Sequence, residues 1–286
     1  MLVQDASNGL GRRSDASTGL RAPGQDAART ASVRLAGRGV GAARRHGGRM
    51  TIELERSGTG APHPQHPQHP QRPLSSTERT LLWVWLVSSA VGVGIWHVRR
   101  LVNAPVSEWL TEHIITLSYF TNLTNTLIVV MAASLLRGRG RLARWFSAAP
   151  VQAAFSLYIL FVGLAFWFVL GGPEDVEYWW LWIPEVTAHS LSPLLGVVWW
   201  AVAVPKGRLR LWHPVAWLVY PIVYLGYWLV RGPIVGEYPY FFIDVDELGY
   251  AGVAVWTGIL VAGFLVLGLV MWGVDRLRSR RSRADL

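Results

Sequence analysis

Residues 249–273 read GYAGVAVWTGILVAGFLVLGLVMWG, with no charged side chain in the run. A helix needs about 20 predominantly apolar residues to cross a hydrocarbon core, and this stretch exceeds that length. Working outward from it, five more apolar runs occupy residues 78–98, 115–136, 147–170, 182–204 and 213–231. The expected fold is all-α: a polytopic bundle of six transmembrane helices over residues 77–275. The fifth run is the shortest and contains Pro214 and Pro221, so its ends are the least sharply defined. Proline inside a span is tolerated where neighbours satisfy the freed carbonyl.

Composition agrees with that class. Hydrophobic residues make up 51% of the 286, charged residues only 16%, and there are 16 Trp. The formal net charge is +9. Its excess lies in the tails and in two short loops, so it reads as a membrane topology signal and excludes nucleic acid as a partner. No cysteine is present, which excludes disulfides, thiol catalysis and cysteine metal sites. No cofactor or metal is expected.

Residues 1–76 carry Gly, Ala, Ser, Arg and Pro without apolar periodicity and read as a disordered basic tail. Within it PHPQHPQHPQRP repeats every three residues and spaces His63, His66 and His69. The sequence is that of an extended proline-rich linker, with weak metal binding as the alternative. Met50 is an alternative start, and no signal peptide is recognisable ahead of residue 80. Residues 276–286 read as a second basic tail.

Loop charges set the expected orientation. Arg137, Arg139, Arg141 and Arg144 follow span two; Lys206, Arg208 and Arg210 follow span four; Arg276, Arg278, Arg280, Arg281 and Arg283 follow span six. Glu174, Asp175 and Glu177 follow span three, and Glu237, Asp244, Asp246 and Glu247 follow span five. Both termini are therefore expected in the cytoplasm of a multi-pass cell-membrane protein, with Arg99 and Arg100 standing against the trend.

Two spans carry polar cargo. The second, LSYFTNLTNTLIVV (117–130), holds Thr121, Asn122, Thr124 and Asn125; the fourth, WIPEVTAHSLSPLLGVVWW (182–200), holds Glu185, Thr187, His189, Ser190 and Ser192. Polar groups at membrane depth are costly unless paired, which makes them functional candidates. Thr121 lies about six residues into its span and His189 about seven, placing both roughly 9–11 Å below the outer boundary. A hydroxyl and an imidazole at equal depth suit a nucleophile and its base. Glu185 and His189 form an i, i+4 pair, so Glu185 is the expected orienter of the ring. Asn122 and Asn125 are candidate oxyanion donors. Interhelical hydrogen bonding is the competing role for the Thr–Asn cluster.

Between spans five and six, RGPIVGEYPYFFIDVDELGY (231–250) is aromatic and acidic on the outer side. Tyr238, Tyr240 and Asp244 are expected in a lid over the site, with an interfacial aromatic belt as the alternative. Among hydrolase and nucleotide signatures there is no G-x-S-x-G, H-E-x-x-H or P-loop.

The order YFT ending at Thr121, HSLSP beginning at His189 and YPYFF beginning at Tyr238 resembles the androgen-induced-protein family of six-span membrane proteins, in its bacterial branch. The resemblance covers about residues 78–275. It implies a threonine hydrolase of lipid esters, such as fatty acid esters of hydroxy fatty acids, with Thr121 as nucleophile and His189 as its partner. The alternative is a lipid carrier, sensor or transporter that uses the same pocket. The expected partners are the bilayer and a lipid-ester substrate.

Overall fold

The computed structural model describes residues 73–173 and 178–284. The His repeat, Met50 and the acidic residues 174–177 lie outside the described residues. Every regular element among those described is helical: α1 (Ser76–Asn103), α2 (Trp109–Leu117), α3 (Phe120–Arg137), α4 (Arg141–Phe146), α5 (Ala149–Phe168), α6 (Trp182–Val186), α7 (Ser192–Val202), α8 (His213–Trp217), α9 (Val219–Val235) and α10 (Val245–Ala284). Five helical stretches are long and apolar enough to cross a membrane: 76–103, 120–137, 149–168, 213–235 and 245–280. By length and composition these helices are those of a multi-pass membrane protein.

Local chemistry sets the ends of these helices. Ser75 accepts from the Glu78 amide at 3.2 Å while Glu78 accepts from the Ser75 amide at 2.8 Å, a reciprocal cap that starts α1. Gly138, at φ 65°, closes α3 in a left-handed conformation that a side chain would disfavour.

The core is shared by α1, α3, α5, α7 and α10 through Leu82, Trp85, Ile128, Met131, Leu157, Ile159, Trp199 and Phe264. α5 is the central helix, with 61% of its apolar window buried in the protein against 17% for the α8–α9 and α10 windows. The remaining surfaces expose Val219, Val223, Val255, Ile259 and Val266. Such apolar flanks suit lipid contact, because lipid tails solvate them without cost.

Three expected spans differ in detail. The run 115–136 breaks at Ser118–Tyr119, where Tyr119 is extended (φ −80°, ψ 132°). Thr121 is consequently the second residue of α3 instead of lying six residues inside one helix. The break is held by hydrogen bonds: Ser118 donates to the Ile114 carbonyl at 2.6 Å, and Asn122 donates to the Thr116 carbonyl at 3.0 Å. The run 182–204 is helical over 182–202 but in three pieces, α6, a π-helical turn at Thr187–Leu191 and α7. Finally, α10 carries Arg276, Arg278 and Arg280, so the helix continues past residue 275 into the expected tail.

The π turn has a local cause. Pro193 has no N–H to donate to the His189 carbonyl, and in an α-helix its ring would press on that carbonyl. The wider turn, closed by the Ser192 amide on the Thr187 carbonyl, relieves that crowding. Neighbouring helices grip this segment where they present glycine. A β-carbon on Gly92 of α1 would lie 2.9 Å from the Ala188 Cβ, and one on Gly163 of α5 would lie 2.8 Å from Pro193.

Candidate functional site

The π turn positions His189. Its ring stacks on Phe166 of α5, with centroids 3.9 Å apart and planes 11° apart. Nδ1 lies 3.1 Å from a Glu185 carboxylate oxygen and 3.2 Å from the Glu185 carbonyl. Both partners are acceptors, so Nδ1 carries a hydrogen, and in the neutral ring Nε2 is the lone-pair nitrogen. The other Glu185 oxygen accepts from the Trp96 indole of α1 at 3.1 Å. Glu185 thus orients the imidazole and is itself fixed by a helix nearly ninety residues away in sequence. An i, i+4 spacing revealed the first contact; nothing local announces Trp96 or Phe166.

Thr121 occupies a different wall. It lines a partly open apolar cavity of about 110 Å³ formed by α3, α5, α9, α10 and the loop before α10. The lining includes Phe120, Phe161, Leu225, Phe242, Leu260 and Phe264. A concave, mostly apolar lining with few polar groups is typical of a small-molecule site. The polar atoms at this cavity come from Thr121, Tyr224, Tyr240 and Thr257. The Tyr240 phenol hydrogen-bonds with Thr121, and burial pushes it up to about 12, so it stays protonated at neutral pH. His189, Asn122, Asn125 and Glu185 are not among the lining residues.

The two halves are joined through Asn125. This side chain is fully buried, and its Nδ2 donates to the Thr121 carbonyl at 3.0 Å and to the Ala188 carbonyl at 3.5 Å. Its Oδ1 is buried without a partner. Asn125 therefore ties the first turn of α3 to the residue preceding His189. Asn122 likewise directs its amide to a backbone carbonyl, as the stop on α2. In this arrangement both amides have structural partners and neither faces the cavity. Thr124, also fully buried, bonds Tyr220 at 3.0 Å and helps hold α9 against α3.

The outer loop divides in the same way. Tyr240 and Phe242 stack at 5.1 Å and both line the cavity, as a wall over Thr121. Tyr238 packs its ring over Gly232, and its hydroxyl is buried without a partner. Asp244 accepts from the amides of Asp246 and Glu247 at 2.9 and 3.0 Å, and so caps the start of α10. Only Tyr240 of these three expected lid residues meets the cavity.

Among the described residues, no group of three His, Cys, Asp or Glu side chains is placed to hold a metal ion. Comparison of the chain with family models, curated proteins and solved structures returned no match.

Proposed function

We propose that this chain is an intramembrane hydrolase of lipid esters, with Thr121 as nucleophile and His189 as base. The observation that carries the reading is the place of Thr121 in the wall of a largely apolar cavity. The orientation of His189 by Glu185 supports it, because a fixed Nδ1–H leaves Nε2 free to take a proton. Thr121 Oγ attacks the ester carbonyl while Nε2 accepts its proton. The same proton then goes to the departing alkoxide, leaving an acyl-threonine. Water adds to this acyl group, gives its proton to Nε2, and the acid leaves as Thr121 is restored. The reading requires Nε2 to reach Thr121 Oγ directly or through one water.

In this proposal the run 182–202 serves as the sixth crossing. Its 5, 5 and 11 residues form an unbroken helical stretch, about 30 Å at 1.5 Å per residue. Both termini are cytoplasmic and the protein resides in the cell membrane, since the Arg and Lys clusters after spans two, four and six then lie on one side.

The second reading is a lipid carrier or sensor. It is favoured by the bond between Thr121 and Tyr240 and by the absence of His189 from the cavity lining. Fluorophosphonate labelling of purified protein separates the two. An activated threonine is labelled, and Thr121→Ala or His189→Ala removes the label. No label on folded wild-type protein, or label that survives Thr121→Ala, refutes the hydrolase and leaves the carrier.

A further inference from the structure

Acyl transfer needs a hydrogen-bond donor for the charge that gathers on the attacked carbonyl oxygen. Asn122 and Asn125 do not serve in this arrangement, because their amides already donate to the carbonyls of Thr116, Thr121 and Ala188. The cavity offers four polar side chains, those of Thr121, Tyr224, Tyr240 and Thr257. Two of them have given up their hydrogens. Tyr224 donates to the Ser118 carbonyl at 2.9 Å, and Thr257 donates to the Val253 carbonyl at 2.8 Å, one turn back in α10. Besides the nucleophile itself, Tyr240 is the donor that remains among the described lining residues.

Tyr240 is fixed and polarised by its neighbours. Its ring lies parallel to Phe242, with planes 6° and centroids 5.1 Å apart, and meets the Tyr119 ring edge-on at 6.2 Å. Its phenol bonds with the Thr121 side chain and with the backbone of Phe120 and Thr121, at the start of α3. The backbone donates in these bonds, since first-turn amides have no carbonyl of their own helix to meet. Donation into the phenol oxygen makes its O–H a stronger donor in turn. With that oxygen turned to the amides, the phenol hydrogen is directed at Thr121 Oγ, and the Thr121 hydrogen stays available to a base.

We propose that Tyr240 is the oxyanion donor of the Thr121 reaction, a catalytic residue supplied by the loop between α9 and α10. The inference deepens the hydrolase reading above and rests on it. As Thr121 Oγ bonds to the ester carbonyl carbon, its proton passes to His189 Nε2 and the carbonyl π pair moves onto the carbonyl oxygen. Oγ and this oxyanion are then bound to one carbon, so a hydrogen aimed at Oγ in the resting site reaches the oxyanion by a small tilt. When the alkoxide leaves with the proton from Nε2, the electron pair returns to the carbonyl. Tyr240 gives a hydrogen bond throughout and no proton, in keeping with a phenol that burial holds protonated.

The test uses the purified full chain in detergent, with two probes: labelling by a fluorophosphonate, whose P=O oxygen needs the same donor, and hydrolysis of p-nitrophenyl octanoate. Tyr240→Phe keeps the ring and its stacking and removes the hydroxyl alone. Its labelling rate and kcat should fall by about 10²–10³-fold, the usual loss for one oxyanion donor, with KM and Tm little changed. Replacing Tyr240 with 3-fluorotyrosine, which keeps the hydroxyl, should restore both rates. A labelled unsubstituted chain whose Tyr240→Phe variant reacts at a comparable rate overturns the oxyanion role and leaves the hydrolase standing. A loss in Tyr240→Phe that comes with a matching rise in KM or a lowered Tm assigns the hydroxyl to binding or folding, and also overturns it. An unsubstituted chain that takes no label, or takes it elsewhere than on Thr121, refutes the hydrolase itself and the oxyanion role with it.

Discussion

Gly163→Ala tests whether the π turn is held by close helix contact. A β-carbon there would stand 2.8 and 2.9 Å from Pro193 side-chain carbons and 3.0 Å from the His189 carbonyl oxygen. None of these atoms can rotate away, since two belong to a closed ring and one to the backbone. Overpacking of this kind costs about 1–3 kcal/mol. The replacement also raises helix propensity by about 1 kcal/mol, which offsets part of the loss. The net expectation is a destabilisation of about 0–2 kcal/mol, and of about 1–3 kcal/mol relative to a control that gains the same propensity, a Tm difference from that control of roughly 2–12 °C for a chain of this size. Gly226→Ala in α9 is the matched control, because nothing lies within 4 Å of its added carbon; it should be neutral or mildly stabilising. Thermal unfolding in detergent, followed by tryptophan fluorescence, compares the two. If Gly163→Ala melts with Gly226→Ala, the grip on the π turn is not a source of stability and the packing argument is wrong.

Three further outcomes follow from particular contacts. Glu185→Gln removes the carboxylate that fixes the His189 tautomer; on the hydrolase reading, fluorophosphonate labelling should slow by at least about tenfold with Tm little changed, and an unaltered rate would remove Glu185 from the mechanism. Asp275 is buried and accepts from the Gly207 and Leu209 amides at 2.9 and 3.1 Å; Asp275→Ala should cost about 1–3 kcal/mol and speed hydrogen exchange at those two amides, and unchanged exchange would refute the clamp. Lys206 lies in the loop after α7 and bonds the carbonyls of Trp200 and Val204, yet burial, assisted by Arg278, lowers its ammonium from 10.5 to about 8. The unfolded chain therefore holds more protons between about 8 and 10.5, so this residue's contribution makes stability rise with pH across that window. Lys206→Met should flatten that part of the profile, and an identical slope in both proteins would refute the assignment.

The membrane class and the helical fold were legible from run length alone, because a span must satisfy its backbone internally and clothe itself in apolar side chains. The pairing of Glu185 with His189 was also legible, being an i, i+4 contact on one helix. The equal depth of Thr121 and His189 was reckoned along unbroken helices. The break at Ser118–Tyr119 and the π turn alter both paths, and each is stabilised by contacts with other helices.

What the sequence determined, then, is whatever repeats at the period of a helix or follows from the oil–water boundary: the apolar runs, the polar residues within them and the one-turn pair. What the tertiary structure decided is which of those polar groups face one another. Tyr240 rather than His189 meets Thr121 on the cavity wall, the amides of Asn122 and Asn125 turn to backbone carbonyls, and Arg231 reaches Ser118 across 113 residues. The physical reason is that helix periodicity assigns a residue to a face of its own helix, whereas the neighbour of that face is chosen by packing among helices distant in the chain.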